Sequence, residues 1–314
     1  MKSFFYLIFL LLISNLSFSQ ENDMVFYLDS LYKTSSEELY NIKQVIKDYN
    51  LDKENYIVLE YDRDNTLLLE GVYADKYLTK RNGTFIEYFK NGNKKYLKKY
   101  EDSKNIGIEI GWYENGNKMY EAEYTNDSIF EKQYKINKFW DVNNKQTVID
   151  GNGYCELSNK YIHQNGELKN GLKNGVWKGH IKYSGNNFTE AYKNGLFISG
   201  EIINSDGEKN KYFELEKKPS PKKGIKDFYK FIAHKFSASD LAYKNKIKGK
   251  IILEFVVEKD GVISDITIKK GLGYGLDEEA IRVLTSYEEW TPGEQRGQKV
   301  RCHYLIPISV DYSR

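Results

Sequence analysis

Between residues 65 and 213 the apolar positions recur every second residue in short runs, and Asx-Gly pairs punctuate the runs. That is the signature of short half-buried strands joined by tight turns. Eight Asn-Gly pairs fall at 82–83, 91–92, 115–116, 152–153, 165–166, 170–171, 174–175 and 194–195. Both residues tolerate the positive φ of a type I′ turn, so each pair predicts a hairpin. The segment Glu87-Tyr-Phe-Lys-Asn-Gly-Asn-Lys-Lys-Tyr-Leu-Lys-Lys-Tyr100 superposes without a gap on Gly111-Trp-Tyr-Glu-Asn-Gly-Asn-Lys-Met-Tyr-Glu-Ala-Glu-Tyr124, at an offset of 24 residues. This is an internal repeat, with weaker copies near Trp140, Trp177, Tyr192 and Ile203. A single hairpin of this kind is marginal in water, so the copies are expected to stack into a meandering sheet.

The pattern changes after Glu216-Lys-Lys-Pro-Ser-Pro-Lys-Lys-Gly224, where two prolines and four lysines predict an exposed linker. Phe228, Phe231 and Ile232 then share one helical face, and residues 241–247 give a second short helical turn. Ile251, Leu253, Phe255 and Val257 alternate on a strand, and Asp260-Gly261 turns into a second strand with Val262, Ile266 and Ile268. Leu276, Ala280, Val283, Leu284 and Tyr287 make a helical stripe behind Asp277, Glu278 and Glu279, acids that suit a helix start. Val300 to Val310 alternate again as a last strand. Pro307 cannot donate to a ladder, so this strand belongs at a sheet edge.

At the other end, Phe4 to Ile13 is an unbroken apolar run, and Ser17 and Ser19 supply small residues ahead of Gln20. The run reads as a secretory signal, because ten helical residues reach about 15 Å against a hydrocarbon core of about 30 Å. Residues 21–60 are open between a helix, with Ser35 and Glu38 as a capping box before Leu39, Ile42 and Ile46, and strands. The expected organisation is a signal peptide over 1–19, an N-terminal segment over 20–64, a β-repeat domain over 65–213, a linker over 214–224 and a C-terminal domain over 225–314. The fold class is mainly β with a small α+β C-terminal domain.

A formal net charge of +2 gives no support for nucleic acid as a partner. The four His are scattered and the two Cys, Cys155 and Cys302, lie far apart, so there is no metal-ligand spacing and no cofactor is expected. No Ser-His-acid or Cys-His constellation stands out, and an enzyme is not expected. The two thiols fit separate burial better than a bridge. Gly271-Leu-Gly273-Tyr-Gly275 lies between a strand and a helix but fails the dinucleotide spacing, and the acids that follow would repel an anion, so it reads as a structural turn. Trp112, Trp140 and Trp177 could be stacking platforms for glycan, but packing one face of a thin sheet explains them better.

The repeat pattern Gly-x-Trp/Phe-x-x-Tyr-x-x-Asn-Gly-x-x-x-Tyr resembles the MORN-type repeat of bacterial envelope proteins. Over residues 225–311 the order helix, strand, strand, helix, strand resembles the TonB C-terminal domain. The motifs Gly249-x-Ile-x-x-x-Phe255-x-Val257-x-x-Asp-Gly261, Gly273-x-Gly275-x-Asp277-x-x-Ala280 and Trp290-x-Pro292-Gly293-x-x-x-Gly297-x-x-Val300 carry it. Where the family commonly has Tyr-Pro, this chain reads Phe236-Ser-Ala-Ser-Asp240, and neither an uncleaved membrane helix nor a long Pro-rich spacer is recognisable.

The resemblance implies a function in outer-membrane transport, in which an extended peptide of a transporter adds to the last strand by β-augmentation. Carried over by position, Val300, Arg301, Cys302, His303 and Tyr304 form that edge. It also implies an inner-membrane energising complex as partner if the N-terminus is retained, and the edge could pair two copies of the chain. The expected location is periplasmic or secreted after cleavage, or inner-membrane anchored without it. Two other readings compete: a scaffold or adhesion protein whose repeats bind a glycan or protein, and an envelope enzyme acting on cell-wall glycan.

Overall fold

The computed structural model describes residues 22–125, 133–287 and 290–313. The expected signal peptide lies outside the described residues, and among these no helix is long and apolar enough to cross a membrane. The chain is mainly β. Antiparallel strands run in chain order as β1 (Met24–Leu28), β2 (Ile42–Ile46), β3 (Tyr56–Tyr61), β4 (Leu67–Tyr73), β5 (Gly83–Tyr88), β6 (Lys94–Glu101), β7 (Lys104–Trp112) and β8 (Lys118–Thr125). They continue as β9 (Gln133–Trp140), β10 (Gln146–Ile149), β11 (Asn152–Ser158), β12 (Ile162–Lys169), β13 (Leu172–Ile181), β14 (Asn187–Lys193), β15 (Leu196–Ile203) and β16 (Lys209–Tyr212). Two compact units result. One holds the described residues up to Leu157 with Asn165–Asn174, and the other holds Ser158–Gln164 with everything from Gly175 onward.

In the first unit the meander begins at Met24, well before residue 65. Residues 34–39 form turns and a bridge, so Ile42 to Ile46 is a strand and the capping-box alternative does not materialise. Ile46 and Val58, on neighbouring strands, face the same buried cluster with Tyr56, which is what alternation in a half-buried strand delivers.

The Asn-Gly pairs do three different jobs. At Asn91-Gly92 and Asn115-Gly116 only the glycine takes positive φ, and Gly92 N donates to the Phe89 carbonyl while Phe89 N donates to that of Asn93. These are type I turns closed by a left-handed residue, in place of the expected type I′. Asn170-Gly171 and Asn194-Gly195 do have positive φ at both residues. The other four pairs sit at the start of strands or inside them.

The asparagines also explain the 24-residue repeat. Asn91 and Asn93 both donate from Nδ2 to the Glu114 carbonyl, at 2.8 and 2.9 Å. One repeat further on, Asn115 and Asn117 both donate to the Val142 carbonyl, at 3.2 and 3.1 Å. Each turn thus satisfies a carbonyl of the next turn.

A second recurring device lies on the buried face. Gly71 and Gly111 in the first unit, and Gly179 and Gly200 in the second, each sit under a ring from the next strand: Phe85, Tyr120, Phe188 and Tyr212 respectively. The rings are buried, and a Cβ on any of these glycines would occupy ring space. The missing side chain lets a large aromatic lie flat on backbone and fill a thin core. Trp177 is likewise fully buried, so it packs the sheet and presents no stacking platform.

In the second unit the chain leaves β16 and forms β17 (Glu216–Lys217) and β18 (Ser220–Pro221), followed by α1 (Ile225–Lys235) and α2 (Asp240–Lys244). Next come β19 (Lys248–Val257), β20 (Ile263–Lys270) and α3 (Leu276–Thr285). The last elements are β21 (Trp290–Thr291), β22 (Gly293–Gln295), β23 (Gln298–Val300) and β24 (Cys302–Asp311). The segment expected as an exposed linker is largely exposed but holds two short strands: β17 pairs β22, β18 pairs β21, and Pro219 and Pro221 are buried. Pro221, which looked like a linker residue, serves in an edge strand, where its missing donor is tolerated, and Pro219 sits buried between β17 and β18.

The helices pack on one face of the sheet β20-β19-β24. Phe228 and Ile232 of α1, and Leu276, Ala280, Val283 and Leu284 of α3, bury against Ile251, Leu253, Phe255, Val257, Ile306 and Ile308. Trp290 is at the centre, with ring centroids 5.1 Å from Phe255, 5.3 Å from Tyr304 and 5.6 Å from Phe228. Gly179→Ala is expected to destabilise the second unit by about 1–3 kcal/mol, because Phe188 must leave its place. A lower thermal midpoint for this variant, with unchanged far-UV circular dichroism at 20 °C or thereabouts, would confirm the ring-on-glycine packing; an unchanged midpoint would refute it.

Candidate functional site

β24 is the edge of its three-stranded sheet and pairs antiparallel with β19 alone. Pro307 fixes the phase of this edge. It lies opposite Ile252, and having no N–H it cannot belong to a hydrogen-bonded pair. Its carbonyl points the other way and accepts from the Tyr229 hydroxyl at 3.1 Å. The register runs unbroken from Cys302 to Asp311, so His303, Leu305, Ser309 and Asp311 share the phase of Pro307. Their main-chain N–H and C=O groups face away from β19. Cys302, Tyr304, Ile306, Ile308 and Val310 turn theirs towards β19, and the side chains of Ile306, Ile308 and Val310 are buried in the core.

The open edge borders two depressions. A cleft of about 780 Å³ is lined by Val300 to Leu305 together with Glu216 to Pro219, Glu294, Gln295 and Tyr183. A groove of about 410 Å³ runs between α1 and the strand from Pro307 onward. Pro307 and Tyr229 line the groove, and Leu305 is the last strand residue of the cleft.

The five residues expected to form the edge do not act alike. Val300 belongs to β23, in a hairpin with β22 where it lies opposite Gly293. The cause is a tight turn at Arg296-Gly297, where both residues have positive φ. Arg301 connects the strands, and its side chain is committed across the sheet: Nε donates to Glu258 at 2.9 Å, and the guanidinium also bonds Asp265. Arg301 therefore ties β24 to the end of β19 and to β20. Asp265 is exposed and Glu258 half-buried, so solvent screens the pairing in part. Cys302 tucks its sulfur over Gly293, and burial raises its thiol pKa. Tyr304 gives its ring to the core beside Trp290. His303 alone of the five combines an exposed side chain with outward main-chain groups, and Leu305 beyond them does the same.

What holds the β22–β23 hairpin has no local signature in the sequence. Arg296 Nε donates to Glu190 Oε1 at 2.8 Å, with the two side chains 12% and 0% exposed. Tyr192 and Tyr212 donate their hydroxyls to the same carboxylate at 2.7 and 2.8 Å, and the guanidinium lies 4.4 Å above the Phe188 ring. Burial first, and the Glu190 charge second, push both phenol pKa values upward. Beside this cluster, Asn186 Nδ2 donates to Gln298 Oε1 at 3.0 Å, and Gln298 in turn bonds Asn204. The last repeat strands and the C-terminal elements thus share a polar clasp. Only distance in sequence, 106 residues between Glu190 and Arg296, kept it out of sight.

The glycine-rich loop after β20 does gather main-chain donors, and the chain fills them itself. Asp277 accepts from Leu272 N at 2.8 Å and from Gly273 N at 3.0 Å. Both cysteines are free, and burial pushes the Cys155 thiol up to about 12. Among the described residues no group of His, Cys, Asp and Glu has the arrangement of a metal site.

The family described as Gram-negative bacterial TonB protein C-terminal matches residues 239–310, from α2 to nearly the end of β24. That match gives this part of the chain an envelope, transport-associated character. No curated protein matches the chain.

Two expectations follow from this geometry. His303→Pro and Leu305→Pro remove donors that β19 does not use, so each should stay folded, whereas Tyr304→Pro should lose about 3–5 kcal/mol through a broken ladder and a lost core ring. Equal destabilisation by all three in denaturant titrations would show that the phase is wrong. Arg296→Met should cost about 3–5 kcal/mol by leaving Glu190 buried and uncompensated, and Glu190→Gln added to it should recover part of the loss. Additive single-variant effects would mean that the two residues are not coupled.

Proposed function

We propose that this chain is a non-enzymatic envelope protein whose β24 edge accepts an extended peptide of an outer-membrane transporter by strand addition. The observation that carries the proposal is the outward phase of His303 and Leu305 beside an open cleft. Those two residues offer two N–H and two C=O groups, and at about 0.5–1.5 kcal/mol each they support weak to moderate affinity. Beyond them Pro307 offers no donor and its carbonyl is held by Tyr229, which limits the length of the added strand.

On this reading the meander is a MORN-type repeat sheet. The 24-residue offset, the asparagine bonds between successive turns and the ring-on-glycine packing support that assignment. The apolar N-terminal run serves as a secretory signal that delivers the chain to the periplasm or beyond, with Gln20 as its first mature residue. Retention of the run in the inner membrane would bring an energising complex within reach as a second partner.

The test is a titration of synthetic peptides from transporter N-termini against the full chain. A binder should lose at least about tenfold in affinity with His303→Pro, since donor loss and the proline ring both obstruct the edge. Arg301→Ala should change affinity little, because that side chain serves the sheet. If no transporter segment binds, or if folded His303→Pro binds as well as wild type, strand addition is wrong and a scaffold function replaces it.

A further inference from the structure

The cleft at the β24 edge is not built by the C-terminal elements alone. Tyr183 lines it from the turn between β13 and β14, outside the segment that matches the TonB family. The ring is 70% exposed, and among the described residues its hydroxyl has no hydrogen bond and its ring no aromatic neighbour. The turn that carries it is nonetheless firmly placed. Asn186, three residues on and buried, donates to Gln298, and its Oδ1 accepts from Ser205 N at 3.2 Å. Gln298 stands two residues before Val300, where the cleft begins. A short polar relay therefore fixes Tyr183 relative to the edge, while the side chain itself does nothing for the fold.

The charges of the cleft are unequally satisfied. Lys217 pairs with Glu294 at 3.1 Å, and Arg301 pairs with Glu258 and Asp265. Lys218 also lines the cleft and has no ion pair among the described residues. One cation is thus left for a ligand, beside an apolar wall formed by Tyr183 and Leu305.

We infer that the β13–β14 turn of the repeat sheet is part of the peptide site, with Tyr183 and Lys218 selecting an extended peptide that carries an apolar side chain, best an aromatic one, close to a carboxylate. This rests on the strand-addition reading and adds to it a recognition role for the repeat module. Main-chain bonds to His303 and Leu305 are indifferent to peptide sequence, so discrimination must come from side chains that line the cleft. Tyr183 supplies a large, rigid contact surface with few torsions to freeze, and Lys218 supplies a charge that is not already spent.

The experiment uses the full chain and an array of octapeptides in a Ser/Thr background, each with one Phe and one Asp at varied positions. The best binder is then titrated against wild type, Tyr183→Ser, Lys218→Gln and His303→Pro, alongside versions of the peptide with Phe→Ala and Asp→Asn. Tyr183→Ser is expected to weaken the Phe peptide by about 3- to 10-fold and to leave the Ala peptide unchanged. Lys218→Gln is expected to weaken the Asp peptide by about 2- to 5-fold and to leave the Asn peptide unchanged. If His303→Pro abolishes binding but Tyr183→Ser and Lys218→Gln do not alter it, the edge reading stands and the repeat module has no part in recognition. If no peptide of the array binds, or if folded His303→Pro binds as well as wild type, both fall together.

Discussion

Glu190 is a carboxylate with no exposed surface, and the second unit is arranged around what such a group requires. A buried charge needs a countercharge and hydrogen bonds to its remaining lone pairs, or it is severely destabilising. Tyr192 and Tyr212 supply hydroxyls from the repeat strands, but the countercharge comes only with Arg296, on the turn between β22 and β23. The hairpin must therefore close onto β14 to β16. Its closure carries β23 into place, brings Gln298 to Asn186 and Asn204, and gives β22 to β17 as a partner. Such a pair adds little net stability compared with an apolar contact of equal size, yet it tolerates one arrangement only.

The repeat strands solve a different problem, that of filling a sheet interior with short segments. Glycine beneath a ring achieves it four times with the same geometry, twice in each unit. The aromatic wealth of the chain, 27 Tyr and 16 Phe, is thereby explained in part by burial, and it does not by itself argue for ligand stacking. Tyr183 belongs to none of these pairs and stays exposed, as do Tyr77, Tyr154 and Tyr161, but of these four it is the one that lines the cleft at the β24 edge.

At the β24 edge, one proline sets both the opportunity and its limit. Because Pro307 has no N–H, its neighbours two residues away must also face outward, and this leaves His303 and Leu305 with unclaimed main-chain groups. The same residue, with Tyr229 on its carbonyl, ends the usable edge. A stretch of only two outward residues ahead of Pro307 is poorly suited to non-specific aggregation and well suited to a short, defined partner.

Local pattern was enough to determine the elements: the meander, four of the eight turns expected at Asn-Gly, the helix–strand–strand–helix–strand order and the edge position implied by Pro307. Each of these follows from periodicity, backbone preference or a missing donor, which are properties of a few consecutive residues. The kind of turn at Asn91-Gly92 was less legible, since Asn-Gly suits more than one turn and the strand register chooses among them. The N-terminal segment was likewise undecided until pairing with β3 made Ile42 to Ile46 a strand. What only the tertiary structure decided is everything that depends on residues distant in the chain. The Lys/Pro segment became strands because β21 and β22 offered edges to pair with, and Val300 left the expected edge for a hairpin held by Arg296. The partners Glu190 and Arg296, and the arrival of Tyr183 at the cleft, have no local signature, because a charge pair or a cleft wall is defined by distance in space and not by spacing in sequence.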